Sequence, residues 1–325
     1  KPKAFADIYS QTICYGMFAA RLQDTTPDDF SRKEAAELIP ETNPFLQSFF
    51  QTIATYKLDK RIAWIVDDLA EVFRVTDMQT VMLNFGSNTQ QTDPTMHFYE
   101  EFLKEYDPKT KKGCGVYYTP QPVVEFIVKS VDGILKDKFG INDGLADSSK
   151  VKLDKAIDGT VNKRTKDKKS HQMVEYHKVQ ILDPATGTGT FLAQVIKEVY
   201  NNLSNSGITG IWSDYVKKDL IPRLNGFEFM MSPYAIAHIK LNWLLNEIGG
   251  IPTTKGIGKR LNVFLTNSLE EPNPTLATLF GQWLSTEVQE ADRIKRDTPV
   301  MIMLGNPPYS GISENNSEWI TDLIK

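Results

Sequence analysis

The chain has 325 residues, 41% of them hydrophobic and 24% charged, so it can bury a substantial core and is predicted to hold two domains. A net charge of −4 argues against a protein that coats nucleic acid with its whole surface. Two cysteines, Cys14 and Cys114, are too few for a disulfide framework and lack the spacing of a zinc site. No apolar run approaches the roughly 20 residues that cross a bilayer. We therefore expect a cytoplasmic protein with neither a metal site nor a membrane partner.

The first third of the chain has the pattern of a helical domain. Apolar positions recur at helical spacing in four segments, separated by proline or by clusters of Asn, Thr and Asp. These segments cover residues 5–22, 45–58, 62–73 and 96–106. We place an all-helical domain at residues 1–106.

Two segments between residues 107 and 179 have distinctive compositions. The first, GVYYTPQPVVEF, spans 115–126, and its Thr119-Pro120 pair is typical of a helix start, with threonine as the N-cap and proline at the first helical position. The second, 150–179, carries nine Lys/Arg against four Asp/Glu. That excess favours a solvated, mobile insertion; the alternative is a basic loop or ribbon that contacts a nucleic-acid backbone.

From residue 107 onward, short apolar runs alternate with helical patterns. The predicted strands cover 179–182, 225–229, 262–266 and 300–304. Alternation of this kind indicates an α/β fold with a parallel sheet. Ligands of such sheets bind at the carboxyl ends of the strands, where the strand order reverses.

The segment DPATGTGTFL, residues 183–192, lies between a predicted strand and a helical pattern. Gly187 and Gly189 would let the backbone approach a ligand, and the first N–H groups of the helix would point at it. A dinucleotide site would place an acidic residue about 20 positions further on, whereas here the next acidic strand end is Glu228. Asp183 would repel a pyrophosphate and attract an α-ammonium group. These features favour S-adenosylmethionine over NAD.

The segment GNPPY, residues 305–309, follows the last predicted strand. Pro307 and Pro308 hold the chain extended and leave the carbonyl of Pro307 free as an acceptor. The side-chain carbonyl of Asn306 is a second acceptor beside it. Tyr309 offers a flat face for stacking on a planar base. Together these groups suit an exocyclic amino group on a heteroaromatic ring.

In this order, the three segments resemble those of N6-adenine DNA methyltransferases in single-polypeptide, Type I-like or Type IIG-like restriction-modification enzymes. The resemblance covers residues 111–311. It implies a Rossmann-like, S-adenosylmethionine-dependent methyltransferase sheet in residues 107–325, preceded by a coupler-like helical domain. The family's sheet normally has seven strands, and only four are recognisable, so we expect the N-terminal part of the methyltransferase domain, inactive alone, with the rest beyond Lys325.

The resemblance also implies roles and partners. Double-stranded DNA would present a flipped-out adenine, and other domains of a larger polypeptide would supply target recognition and helicase or nuclease activity. Methyl transfer would be an in-line displacement without a covalent enzyme intermediate. Glu228 would accept from the ribose hydroxyls, and Asn267 stands where the family usually has an acidic residue. The implied catalytic residues are Asn306, Pro307, Pro308 and Tyr309, and the implied cofactor-binding residues are Tyr118, Thr119, Pro120, Asp183, Pro184, Ala185, Gly187, Gly189, Phe191, Glu228 and Asn267.

Other functions remain open from the residues alone. A protein methyltransferase could present a glutamine side-chain amide to the same NPPY arrangement. A catalytically inactive, cofactor-binding scaffold of a restriction complex is a further alternative. Cytosine N4 is also an exocyclic amino group, and NPPY does not exclude it.

Overall fold

A computed structural model describes most of the chain. The described residues are 2–24, 26–39, 43, 46–47, 50–51, 58–78, 80–81, 119–157, 170–249, 258–270 and 282–307. The predicted helix at 96–106 and most of the one at 45–58 lie outside this set, as do Tyr118, Pro308 and Tyr309. None of the described helices combines the length and apolar composition that a membrane crossing needs.

The N-terminal region is helical where it is described. Helix α1 covers Pro2–Gln23, α2 covers Arg32–Glu37 and α3 covers Lys60–Val75. Helix α3 begins where the side chain of Asp59 accepts from the backbone N–H of Arg61, an N-cap contact that satisfies one of the free donors of the first turn. The helices predicted at 5–22 and 62–73 are confirmed.

Helix α4 follows the Thr-Pro pair but begins later than predicted. It covers Gln121–Asp137, and its N-cap is Pro120, with no side-chain capping bond. The expected N-cap role of Thr119 is therefore wrong. Proline at the cap leaves the threonine outside the helix, with its hydroxyl available for a different contact.

The basic segment at 150–179 contains an antiparallel ribbon. Strand β1, Lys150–Ile157, pairs along its whole length with β2, Ser170–His177. Residues 158–169, which hold five of the nine Lys/Arg of this segment, lie outside the described set. The two arms therefore have the form of the ribbon that was the alternative prediction, and a contact of this ribbon with a nucleic-acid backbone stays a prediction.

The central sheet has four parallel strands among the described residues, in the order β5-β4-β3-β6. In chain order its elements are β3 (Ile181–Asp183), α5 (Thr190–Asn205), α6 (Trp212–Tyr215), β4 (Leu224–Glu228), α7 (Met231–Ile248), β5 (Asn262–Leu265), α8 (Gln282–Asp297) and β6 (Ile302–Met303). The predicted α/β fold with a parallel sheet is confirmed. The strand order reverses beside β3, because β4 lies on one side of it and β6 on the other.

The helical region packs directly on the α/β region. One hydrophobic cluster includes Phe18 and Phe73 from the first and Leu245 from the second. Buried polar contacts cross the same interface, including a bond of 2.9 Å from Asn43 Nδ2 to the hydroxyl of Tyr234 on α7. The hydrophobic core is continuous across the two regions. The predicted boundary at residues 106–107 lies outside the described residues and stays a prediction.

Candidate active site

The predicted motifs meet at the carboxyl ends of the sheet strands. Strand β3 ends at Asp183, β4 ends at Glu228, and β6 is followed by Gly305 and Asn306. Strands β3 and β6 are neighbours, so the DPATG and GNPP segments leave the sheet side by side. This is the edge, next to the reversal of strand order, at which α/β sheets bind ligands.

Asp183 is the most deeply buried charged group of this edge. It is 0% exposed, and Oδ1 accepts from the backbone N–H of Ala185 at 3.1 Å. Oδ2 has no hydrogen-bond partner among the described residues. The pKa of Asp183 is raised to about 7, mainly by burial and also by the nearby carboxylate of Glu228, against the lowering effect of the bond from Ala185. A buried carboxylate with an unsatisfied oxygen is costly, and a cationic ligand would offset that cost.

The loop after Asp183 depends on its two glycines. Gly187 has φ 55° and Gly189 has φ 83°, both in the left-handed region that residues with a Cβ avoid. Gly189 is the N-cap of α5, and a Cβ on Gly187 would meet no atom within 4 Å. The backbone N–H of Thr186 donates to the carbonyl of Phe227 at 2.9 Å, which fixes the loop to β4. At Gly187, which is half-buried, the loop therefore presents backbone with no side chain over it at the strand ends.

Glu228 connects the glycine loop to the start of α7. Its Oε2 accepts from the backbone N–H of Gly187 at 2.8 Å and its Oε1 from that of Met230 at 2.7 Å. Burial raises the pKa of Glu228, while these backbone donors lower it. An ionised carboxylate has about four acceptor positions. It can therefore also accept from a ligand hydroxyl.

Phe229, directly after Glu228, is a site candidate that the motifs missed. Its side chain is 70% exposed at the end of a buried strand. A phenyl ring exposed beside a ligand edge is a stacking surface. The usable sequence signal is its position, immediately after the acidic residue that ends β4.

Gly305 brings the two motifs into contact. A Cβ at this position would lie 2.4 Å from Oδ1 of Asp183. The φ of Gly305 is not in the left-handed region. Its requirement for glycine is therefore one of space: only a hydrogen fits against the carboxylate.

Asn306 contacts the third motif. Its Nδ2 donates to Oγ1 of Thr119 at 2.9 Å, and both side chains are partly buried. Pro120 and Pro307, the neighbours of this pair in sequence, are exposed. The structure thus joins residues of the GVYYTP and GNPPY segments through one side-chain contact.

The remaining predicted residues differ in their surroundings. At the predicted residue Pro184, the carbonyl accepts from the hydroxyl of Ser268, which was not predicted; this bond holds the loop after β5 against the glycine loop. Asn267 Oδ1 accepts from the backbone N–H of Leu269 at 3.1 Å, so this amide stabilises its own turn. Phe191 is 4% exposed and belongs to the hydrophobic core. Phe191 therefore packs in the core, and its role in cofactor binding stays a prediction.

Comparisons with known proteins point to the same class of enzyme. Residues 90–151 match the N-6 DNA Methylase family. A protein of Methanocaldococcus jannaschii, named as a candidate type II restriction enzyme and methyltransferase, is 28% identical over 131 residues. That alignment covers 37% of this chain and 11% of the relative, so the chain spans about a tenth of the curated protein it matches. The predicted resemblance to adenine methyltransferases of restriction-modification systems is confirmed.

Solved structures share the fold over nearly the whole chain. A DrdV–DNA complex superposes with a TM-score of 0.56 at 20% identity, covering 98% of this chain and 26% of that one. A nuclease-deletion mutant of the Type ISP restriction-modification enzyme LlaGI, with a DNA substrate mimic, gives 0.56 at 20% identity, covering 100% and 22%. The ATP-dependent Type ISP enzyme LlaBIII bound to DNA gives 0.51 at 20% identity, covering 95% and 17%. At this identity the likeness establishes the fold.

Proposed function

We propose that this chain is the methyltransferase part of a restriction-modification enzyme. It would transfer a methyl group from S-adenosylmethionine to N6 of a flipped-out adenine in double-stranded DNA. The observation that carries the proposal is the contact between the two motifs, in which Gly305 lies against the buried carboxylate of Asp183. A donor site and a site for the accepting amino group then share one strand-end edge.

The charges at this edge fit S-adenosylmethionine. Asp183 and Glu228 are buried acids, and no ion pair with either is found among the described residues. A sulfonium and an α-ammonium group would be attracted here, whereas a pyrophosphate would be repelled. We assign the ammonium to Asp183, the ribose hydroxyls to Glu228 and the adenine face to Phe229. When bound, the cofactor supplies an electrophilic methyl group within a Rossmann-like sheet.

The residues after β6 would hold the target base. The side-chain carbonyl of Asn306 and the backbone carbonyl of Pro307 would accept the two hydrogens of the adenine amino group, directing its lone pair towards the methyl group. Extrusion of the base costs a few kcal/mol, and stacking on Tyr309 would offset part of it, at about 1–3 kcal/mol per base. Positioning and electrostatics would then provide most of the rate acceleration.

Because this chain is expected to be inactive alone, methyl transfer is tested with the full-length enzyme that contains it and with unmethylated bacterial genomic DNA, which offers many candidate recognition sequences. We expect radiolabel from S-adenosylmethionine to enter DNA and nucleoside mass spectrometry to identify N6-methyladenine. Asn306→Ala should lower the yield of product by about 100-fold or more, because it removes an acceptor for the target amino group, while the Kd for S-adenosylmethionine stays within about twofold.

The same experiment separates the alternatives. If nucleoside mass spectrometry detects N4-methylcytosine and no N6-methyladenine, the target base is cytosine. Label on a glutamine of an added protein extract, with none in DNA, would favour the protein methyltransferase. Cofactor binding without transfer to either substrate would indicate a scaffold, and the absence of cofactor binding would contradict the proposal as a whole.

A further inference from the structure

Thr119 and Asn306 form a contact that the sequence motifs do not explain. The residues are 187 positions apart, and the distance from Asn306 Nδ2 to Thr119 Oγ1 is 2.9 Å. Thr119 does not cap α4, whose N-cap is Pro120 without a side-chain capping bond. Its hydroxyl is instead an acceptor for the amide of Asn306.

The orientation of this amide decides what it can do. An asparagine side chain presents a carbonyl oxygen at one end and an NH₂ group at the other, and rotation about χ2 by 180° exchanges them. An exocyclic amino group that donates both hydrogens needs the oxygen on its side. The reversed amide would place a donor against a donor. A partner that accepts from Nδ2 therefore selects the productive orientation.

The chain beside Thr119 is held in place by a contact between α4 and α5. Gln121, at the start of α4, donates from Nε2 to Oε1 of Gln194 at 2.9 Å. Gln194 is 5% exposed and lies on α5, the helix that follows the glycine loop. This bond connects the start of α4 to α5, the helix that follows the glycine loop. Because Thr119 lies two residues before Gln121, its position is coupled to that of the proposed cofactor site.

We propose that Thr119 is a positioning residue for the methyl transfer: by accepting from Asn306 Nδ2, it fixes the amide with its carbonyl oxygen towards the target amino group. This inference rests on the proposed function. It also differs from the cofactor contact that the motif implies for Thr119. Two successive residues then have neighbours from the other two motifs: Gly305 borders the carboxylate of Asp183, and Asn306 donates to the hydroxyl of Thr119.

The test compares Thr119→Val, which removes the hydroxyl at nearly constant volume, with Thr119→Ser, which keeps it. For Thr119→Val we expect kcat for DNA methylation to fall by about tenfold or more, because a misplaced catalytic group is costly. The Kd for S-adenosylmethionine, measured by calorimetry, should stay within about twofold, and Thr119→Ser should restore most of kcat. In an Asn306→Ala background, Thr119→Val should have no further effect on the residual rate.

Each other outcome overturns the inference in a recognisable way. If the wild type methylates DNA and Thr119→Val has the same kcat, Thr119 does not position Asn306, and the proposed function stands. If Thr119→Val raises the Kd for the cofactor at unchanged kcat, Thr119 is a cofactor ligand. If Thr119→Ser is as slow as Thr119→Val, the hydroxyl is not the active feature. A wild type that transfers no methyl group to DNA would remove both the proposed function and this inference.

Discussion

Two buried aspartates of this molecule have opposite surroundings. Asp132 on α4, 5% exposed, accepts from the backbone N–H of Leu145 at 2.7 Å and from Nδ2 of Asn202 at 2.9 Å, and forms an ion pair with Lys136 at 2.6 Å. Asp183 at the strand ends, 0% exposed, accepts one backbone bond, and its second oxygen has no partner among the described residues.

The difference separates a structural carboxylate from one that we propose binds a ligand. The charge of Asp132 is neutralised within the fold, so its contribution is to the packing of α4 on α5. The second oxygen of Asp183 has no such partner among the described residues, and the raised pKa of this group records the cost of keeping its charge buried. Perturbed titration in a cleft is typical of functional sites. Burial alone does not distinguish the two residues; their partners do.

Exchange of each aspartate for asparagine should give opposite results. We expect Asp183→Asn to weaken S-adenosylmethionine binding by about 100-fold or more, the scale of breaking a buried charge pair. Asp132→Asn should leave that affinity within about twofold but lower the melting temperature, because Lys136 loses its partner. Calorimetric titration and thermal unfolding measure the two effects. Equal losses of affinity in both variants would contradict the assignment of a binding role to Asp183 and a structural role to Asp132.

The stability of Asp183→Asn should depend on pH. The folded-state pKa of Asp183, about 7, exceeds the unfolded value of about 3.9. The folded protein therefore binds the proton more tightly, and stability is lost as pH rises from about 4 to about 7, by up to about 1.4 kcal/mol per pH unit. Asparagine removes this loss. We expect the variant to melt above the wild type at pH 8 and close to it at pH 4, and the reverse order would contradict the raised pKa.

Gly305→Ala tests the contact between the two motifs. The added methyl group would displace the carboxylate of Asp183, so we expect affinity for S-adenosylmethionine to fall by about 10- to 100-fold, as overpacking costs about 1–3 kcal/mol. Gly210→Ala is the control, because a Cβ at Gly210 meets no atom within 4 Å. Unchanged binding by Gly305→Ala would mean that the GNPP segment does not border the cofactor.

Phe229→Ala tests the proposed adenine surface. Loss of one stacking face should weaken S-adenosylmethionine binding by about five- to tenfold, near the lower end of measured base–aromatic contacts of about 1–3 kcal/mol. Phe126→Ala is matched in exposure, 72% against 70%, and its ring lies on α4, not directly after a strand of the sheet. In titration calorimetry, only Phe229→Ala should bind S-adenosylmethionine more weakly than the wild type. Equal losses of affinity in the two variants would contradict a specific contact between Phe229 and the cofactor.

The strand-end site follows from the sequence because its determinants are local. Apolar runs that stop at Asp183 and Glu228 predict strand ends, and parallel strands align those ends along one edge. The glycines of the loop are likewise recognisable, since Gly187 and Gly189 adopt backbone angles that favour glycine. The strand limits differ from the predicted ones by one or two residues, because apolar runs do not mark where pairing stops.

The parts that the sequence did not predict depend on long-range contacts. The pair formed by Thr119 and Asn306 spans 187 residues and has no local signature. The β1–β2 ribbon was only the alternative interpretation of its segment, because the pairing of two strands that lie 12 residues apart is not visible in their composition. The exposure of Phe229 depends on how the surrounding segments pack in three dimensions, and a local sequence pattern does not predict that packing.

The release of protons on cofactor binding tests the role of Asp183 most directly. At pH 6.5 most of the Asp183 population is protonated if its pKa is about 7, whereas α-amino groups, which titrate near about pH 8, are already charged. Calorimetry in two buffers with different ionisation enthalpies gives the number of protons released. We expect about three quarters of a proton from the wild type and almost none from Asp183→Asn. Tight binding by the wild type without proton release would show that the cofactor does not meet this carboxylate.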